Sequence, residues 1–219
     1  GQAFTQADDF FDATQNVDGF VRVSAAIKTA AVNLSKMSND LRLLSSGPKA
    51  GIGEINLPAK QNGSSIMPGK VNPVIPEVVS QVAFRVIGND LTITMAAESG
   101  QLELNAFEPI IFHSLFESID CLTHAVATLT ANCITGIQAN EMVCYKQVEE
   151  SAGIATVLCP TIGYQKASAI AKESLETGKT VRELVLEKGL LTIAETDSIL
   201  DLKHMAGISA AMLLRDKVI

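Results

Sequence analysis

Apolar residues recur at alternating spacings of three and four positions along two long stretches of the chain. Such spacing places them on one side of an α-helix and is typical of helices packed in a bundle. The first predicted seam consists of Phe20, Val23, Ile27, Ala30, Leu34, Met37, Leu41 and Leu44. The second consists of Phe112, Leu115, Ile119, Leu122, Val126, Leu129 and Cys133. We therefore predict two long helices in a bundle with crossing angles of about 20°.

A third stretch, residues 74–97, is apolar on almost every side. After Glu77 its only charges are Arg85 and Asp90, which argue for a core helix and against a membrane span. Two neighbouring helices of the same chain cannot surround such a helix. The pattern therefore predicts that another subunit, or a part of the protein outside this chain, covers the remaining side.

The character of the chain changes near residue 140, where long patterns give way to short elements with their own caps. Two capping boxes, in which a threonine precedes a glutamate by three positions, are Thr180 with Glu183 and Thr192 with Glu195. Residues 1–16 are polar and irregular, and no capped helix is predicted there. We predict an all-α chain in which residues 1–139 form the C-terminal part of a central long-helix bundle domain. Residues 140–219 are predicted to form a small helical C-terminal domain.

Glycine and proline punctuate residues 51–72, between the first two predicted helices, which predicts a mobile loop. The loop ends in Gly-Ser-Ser-Ile-Met-Pro-Gly-Lys-Val-Asn-Pro, residues 63–73. It is not a Walker loop, because five residues rather than four separate the two glycines and valine follows the lysine. It is not a Ser-x-x-Lys hydrolase motif, because Met67 stands three positions before Lys70. From composition alone, a plain linker between two helices is favoured over a catalytic loop.

The polar residues of the loop offer specific chemistry if the loop is catalytic. Ser64 and Ser65 are adjacent hydroxyls, and a serine acts as a base only where positive charge, hydrogen-bond donors and exclusion of water assist it. Lys70 and Asn72 are two positions apart, so in an extended segment their side chains point to the same side. A cation beside an amide donor is a plausible clamp for a carboxylate.

The eleven residues 63–73 resemble the signature of the aspartase/fumarase superfamily, whose members eliminate ammonia, water or an amine to leave fumarate. The resemblance extends over essentially the whole chain. It implies that Ser64 is the catalytic base and that the substrate is lined by Ser65, Lys70, Val71 and Asn72. It implies that Lys70 and Asn72 hold a carboxylate and that Glu77 pairs with a histidine from another part of the protein. The implied reaction passes through an aci-carboxylate and needs no redox or organic cofactor, and no residue is assigned as a metal ligand.

Two further runs, residues 74–79 and 95–105, are more similar to aspartases than to fumarases. They imply a carbon–nitrogen lyase that releases ammonia from L-aspartate to give fumarate. Two alternatives stay open: a fumarase that hydrates fumarate to L-malate, and a non-catalytic helical assembly fragment of the same fold.

Members of the family are about twice as long as this chain, and each of their active sites combines three subunits of a tetramer. The resemblance therefore implies a homotetramer and an N-terminal half that supplies the rest of the site. It also implies that this chain is inactive alone.

Composition limits the classes of partner and site. The net charge of −7 argues against nucleic acid or an anionic membrane as a partner. Four cysteines without a Cys-x-x-Cys pair, and no signal peptide, favour reduced thiols in the cytoplasm. His113 and His124 would lie about 16 Å apart along one helix, too far to share a metal ion.

Overall fold

The computed structural model describes residues 1–61 and 71–207 and divides the chain into two compact units, residues 1–140 and 141–219. We call these the bundle unit and the C-terminal unit. The predicted domain boundary, after residue 139, lies one residue before this division. Ser64, Ser65 and Lys70 lie outside the described residues.

The bundle unit contains three long helices, and the all-α prediction is confirmed. Its elements are α1 (Phe10–Gln15), α2 (Asp18–Leu44), β1 (Ile55–Asn56), α3 (Val74–Glu98), α4 (Glu108–Asn132), a 3-10 turn (Ile134–Gly136) and β2 (Gln138–Ala139). Helix α3 packs against both α2 and α4, which touch each other much less. The two-residue strands β1 and β2 pair antiparallel, with Ile55 opposite Ala139.

The prediction that no capped helix occurs in residues 1–16 was wrong. Asp9 caps α1, because its side chain accepts hydrogen bonds from the backbone N–H groups of Phe11 (2.9 Å) and Asp12 (3.1 Å). No residue of this six-residue helix is buried. The apolar periodicity that reveals longer helices is therefore absent, and the cap is its only signal in the sequence.

Every second position of the predicted α2 seam is correct: Phe20, Ile27, Leu34 and Leu41 contribute to the core. Three of the intervening positions are shifted by one residue, because Ser24, Ala31 and Ser38 are buried in place of Val23, Ala30 and Met37. Ser35 is buried as well. Small side chains at the contact allow the backbones of two helices to approach closely, so they occupy the seam even though serine is not apolar.

Helix α4 departs from its predicted seam in the same way. Leu115 and Leu129 are buried as predicted, but Ser118 and Ala125 replace Ile119 and Val126 at the intervening positions. Ile119 and Val126 are exposed, as are Val23 and Met37 on α2. The larger apolar side chains thus form second faces that point away from the core of this chain.

Helix α3 is only partly covered, which agrees with the prediction that two neighbours cannot surround it. Val79, Ala83, Val86 and Ile93 are buried against α2 and α4. The opposite side carries an exposed apolar stripe, which we call the α3 stripe: Phe84, Ile87, Leu91 and Met95. These residues recur every three or four positions and so lie along one face of the helix.

Two small seam residues, Ser24 and Ser118, also take part in a buried layer of polar side chains around Asn89 and Asp90 of α3. The Ser24 hydroxyl donates to Asp90 Oδ1 (2.8 Å), and Lys28 forms an ion pair with the same carboxylate. Asn89 donates to Ser118 Oγ (3.1 Å) on the α4 side. The layer therefore links α3 to both neighbours through side chains that leave little room for a shifted register.

An acidic partner on α4 completes this layer. Glu117 accepts a hydrogen bond from Asn89 and a two-pronged contact from Arg85. The hydrogen bond from Asn89, followed by that from Arg85, lowers the pKa of Glu117 below its ordinary value. The Arg85–Glu117 pair lies at the edge of the bundle, where solvent screens it.

The C-terminal unit consists of short helices around its own core. They are α5 (Glu141–Glu149), a 3-10 segment (Ala152–Leu158), α6 (Cys159–Ile162), α7 (Tyr164–Thr177), α8 (Val181–Glu187), α9 (Ile193–Ile199) and α10 (Leu202–Met205). The core is formed by Ala155, Leu158, Ala167, Ile170, Val181, Leu184, Val185 and Leu200. Both predicted capping boxes are present, at Thr180 with Glu183 and at Thr192 with Glu195.

The described residues were predicted to contain neither a membrane-spanning helix nor a disulfide. Within residues 1–61 and 71–207, no helix is long and apolar enough to cross a membrane. No disulfide joins the four cysteines, all of which lie in the described part of the chain.

Candidate active site

The loop predicted to be catalytic leads directly into the first turn of α3. The backbone N–H of Val74 donates to the carbonyl of Asn72 (2.9 Å), and that of Glu77 donates to the carbonyl of Pro73 (3.2 Å). Pro73 precedes the helix, where a missing N–H group leaves no intrahelical bond unmade. Asn72 and Glu77 therefore lie at the same rigid end of the bundle unit.

The other arm of the loop is anchored where it leaves α2. The Ile52 N–H donates to Ser46 Oγ (3.0 Å), and the Glu54 N–H donates to the carbonyl of Leu44 (3.0 Å). The Asn140 N–H donates to the carbonyl of Glu54 (2.8 Å), next to the β1–β2 pair. Both described arms of the segment are thus hydrogen-bonded to the bundle unit.

Gly136, in the turn after α4, packs directly against Pro58 in the loop arm. A β-carbon on Gly136 would lie 2.5 Å from Cγ of Pro58, far inside van der Waals contact. The turn after α4 thus approaches the loop more closely than any residue but glycine allows.

A small cavity of about 10 Å³ lies below the exit of the loop. It is lined by Leu57, Pro58, Asn72, Pro73, Val74, Ile75, Pro76, Asn132 and Cys133. That volume holds about one water molecule, so the cavity is too small for a dicarboxylate substrate. Burial raises the pKa of the Cys133 thiol, which keeps this wall neutral.

Glu77 forms an ion pair with Arg42 among the described residues. Glu77 lies in the first turn of α3 and Arg42 in the last turn of α2, with 3.6 Å between Arg42 Nη2 and Glu77 Oε1. Arg42 Nη1 also donates to Asn39 Oδ1, at 3.3 Å. Each charge occupies the helix end where the helix dipole favours it.

The structure accounts for part of the predicted site. Asn72 is half-buried beside the cavity, Val71 is exposed, and Glu77 lies on the first turn of α3. Ser64, Ser65 and Lys70 lie outside the described residues, so their roles stay predictions.

Sequence reasoning missed Arg42, which the structure places against Glu77. The signal was available, because a lone arginine ends one helix and a glutamate begins the next antiparallel one. A pair of this kind is visible only once the two helix ends are matched.

Within the described ranges, no group of three or more His, Cys, Asp or Glu side chains is placed to hold a metal ion. His113 and His124 both lie on α4, where their side chains are exposed.

Two family models match the chain. Residues 1–88 match a model described as lyase, and residues 154–207 match one described as the C-terminus of fumarase C. The chain is 54% identical to the aspartate ammonia-lyase of Helicobacter pylori over 205 residues, which are 94% of this chain and 44% of that protein. This chain belongs to the aspartase/fumarase superfamily. The superfamily resemblance of residues 63–73 is thereby confirmed.

Other superfamily members give the same picture. The aspartate ammonia-lyase of Pseudomonas fluorescens is 57% identical, over 94% of this chain and 43% of that protein. A cobalt-bound fumarate lyase:delta crystallin structure from Brucella melitensis is 51% identical with a TM-score of 0.88, covering 92% of this chain and 44% of that one. The class II fumarase of Schistosoma mansoni is 37% identical with a TM-score of 0.83, covering 90% and 41%. The chain spans less than half the length of the superfamily relatives that it matches.

Proposed function

We propose that this chain forms part of an aspartate ammonia-lyase, a carbon–nitrogen lyase that converts L-aspartate to fumarate and ammonia. The observation that carries the proposal is the degree of similarity. Two aspartate ammonia-lyases are 54% and 57% identical to the chain, whereas the compared fumarase is 37% identical. The proposal concerns the whole protein, of which the chain would supply one set of site residues.

In the proposed reaction Ser64 is the base. The Ser64 Oγ, as its deprotonated alkoxide, takes a proton from the carbon beside one carboxylate and becomes a neutral hydroxyl. The electron pair left on the carbon spreads into that carboxylate as an aci-carboxylate. The pair then forms the carbon–carbon double bond as the carbon–nitrogen bond breaks and ammonia leaves with its bonding electrons. Donors aimed at the charged carboxylate lower the barrier, by about 3 kcal/mol for each well-placed donor.

Lys70 and Asn72 are the proposed donors to this carboxylate, with Ser65 and Val71 lining the substrate. The position of Asn72, two residues before a 25-residue helix, supports the role. The N-terminus of such a helix carries partial positive charge, which favours an anionic ligand. Glu77 is proposed to support the site by holding a histidine from a segment outside this chain. This chemistry requires no redox or organic cofactor.

We further propose that the protein is a homotetramer located in the cytoplasm. The exposed α3 stripe supports the assembly, because four large apolar side chains on one helix face need a covering partner. The bundle lacks such a partner within the described residues of this chain. Segments from other copies and from the rest of the protein would complete the site, so the chain alone should not turn over substrate.

A fumarase is the second candidate, supported by the match of residues 154–207 to the fumarase C C-terminal model. The test is to offer L-aspartate and L-malate separately to the full-length protein that carries this segment, and to follow the absorbance of fumarate. Fumarate from aspartate with ammonia in equal amount supports the proposal. Fumarate from malate alone identifies a fumarase, and no turnover of either substrate favours a non-catalytic relative.

A further inference from the structure

Arg42 and Glu77 join the two helix ends from which the proposed catalytic loop extends. Helix α2 ends at Leu44 and α3 begins at Val74, and the loop occupies the chain between them. Arg42 Nη2 and Glu77 Oε1 lie 3.6 Å apart, and their side chains are 42% and 40% exposed. The pair therefore lies at the surface of the bundle on the side where the loop is attached.

We propose that Arg42 is a positioning residue for the proposed elimination and that it acts through Glu77. The inference rests on the proposed function and assigns a role to a residue outside the loop. Arg42 does not contact the substrate in this account. It holds the Glu77 carboxylate at one angle, so that the carboxylate can hold its own partner in the site.

The contact geometry suits this role. A carboxylate offers about four lone-pair positions on two oxygens, and the contact of Arg42 Nη2 with Oε1 at 3.6 Å does not fill them. The carboxylate can therefore also accept a hydrogen bond from the imidazole proposed above as the partner of Glu77. The guanidinium is itself restrained, because Nη1 donates to Asn39 Oδ1 one turn earlier on α2. Asn39, Arg42 and Glu77 thus form a short chain of polar contacts from α2 to α3.

The effects of losing Arg42 on stability and on kcat distinguish a positioning role from a purely structural one. An exposed ion pair contributes little to stability, so loss of Arg42 should leave the fold nearly unchanged. A small misplacement of a group at a reacting centre, by contrast, reduces turnover strongly. A large effect on kcat with a small effect on stability is therefore the signature of positioning.

The experiment compares three variants of the full-length protein with the wild type: Arg42→Ala, Arg42→Lys and Arg85→Ala. Arg85→Ala is the matched control, because Arg85 forms an exposed ion pair with Glu117 between α3 and α4, away from the loop. Rates of fumarate formation give kcat and KM for each protein, and thermal unfolding gives its Tm.

We expect Arg42→Ala to lower kcat about tenfold, with KM changed less than about twofold, because Glu77 supports the chemical step and does not bind the substrate. Arg42→Lys should recover most of kcat, since it keeps the charge. Arg85→Ala should match the wild type in kcat, and all three variants should have similar Tm values. In an Arg42→Ala/Glu77→Gln double variant, kcat should fall no further than in Glu77→Gln alone.

The inference is overturned if Arg42→Ala has the same kcat as Arg85→Ala. It is overturned as well if Arg42→Ala has a lower kcat together with a clearly lower Tm, and Arg42→Lys loses as much kcat as Arg42→Ala. It is also overturned if the Arg42 and Glu77 effects multiply in the double variant. These results are distinct from failure of the proposed function. A wild type that forms fumarate only from L-malate refutes the proposed function, and the same comparison is then made with L-malate. A wild type that forms fumarate from neither substrate overturns both.

Discussion

Replacing Lys28 with methionine should destabilise the bundle far more than the loss of an ordinary surface lysine. Asp90 is 7% exposed and Lys28 is 39% exposed, so the substitution leaves a carboxylate inside the bundle without its cation. Removing one member of a buried ion pair costs about 3–5 kcal/mol. The partial exposure of Lys28, and the hydrogen bond that Asp90 keeps from Ser24, reduce the expectation to about 2 kcal/mol.

The measurement is urea unfolding of the 219-residue chain, followed by far-ultraviolet circular dichroism at one protein concentration. With a slope of about 2 kcal/mol per M, Lys28→Met should lower the midpoint by about 1 M. Lys36→Met is the control, because the Lys36–Asp40 pair is 71% and 49% exposed and should be worth less than about 0.5 kcal/mol. Adding Asp90→Asn to Lys28→Met should restore most of the loss. Equal midpoints for Lys28→Met and Lys36→Met would refute the idea that Asp90 is buried as an ion.

Three further predictions concern single contacts. Gly136→Ala should lower kcat of the full-length protein about tenfold with little loss of helix content, because the new β-carbon would displace Pro58 and the loop arm that contains it. An unchanged kcat would show that the position of this arm does not affect turnover. Cys133 should react with a thiol reagent more slowly than the other three cysteines, since burial raises its pKa, and mass spectrometry of the labelled native chain checks the order. Hydrogen bonds from Thr192 lower the pKa of Glu195. The ionised Glu195 carboxylate therefore stabilises the folded chain above pH 4.5, its ordinary pKa, and this stabilisation is lost as the pH falls through the lower pKa of the folded state. Glu195→Gln should therefore lower the Tm near neutral pH, with a difference from the wild type that shrinks in acid; a constant difference would contradict it.

The extent and number of the long helices followed from the spacing of apolar residues, but the faces of those helices did not. A pattern of large apolar residues cannot distinguish the contact with α3 from a second contact elsewhere. On α2 the seam uses Ser24 and Ser38, which hydropathy scores as polar, while Val23 and Met37 point outward. Close helix packing selects for small side chains, and only the positions of the neighbouring backbones reveal where that selection acts.

The candidate site was predictable in its residue types and only partly in its geometry. The motif identified Asn72 and Glu77, and the structure places both at the start of α3. The Arg42–Glu77 pair and the Gly136–Pro58 contact join residues far apart in sequence, so no local pattern announces them. Helix α1 was missed for a different reason: its only local signal is a single capping aspartate, which is too weak without apolar periodicity.

We propose that the glycine- and proline-rich loop of this chain carries the base of an ammonia-lyase. The most direct test is the initial rate of fumarate formation from L-aspartate by the full-length protein and by its Ser64→Ala variant, with Ser45→Ala as a control on a serine at the end of α2. The account predicts that the wild type and Ser45→Ala release fumarate at similar rates. It predicts that Ser64→Ala loses about 10²–10⁴-fold in kcat while its circular dichroism and sedimentation stay unchanged. A Ser64→Ala variant that keeps most of the wild-type rate would contradict the account.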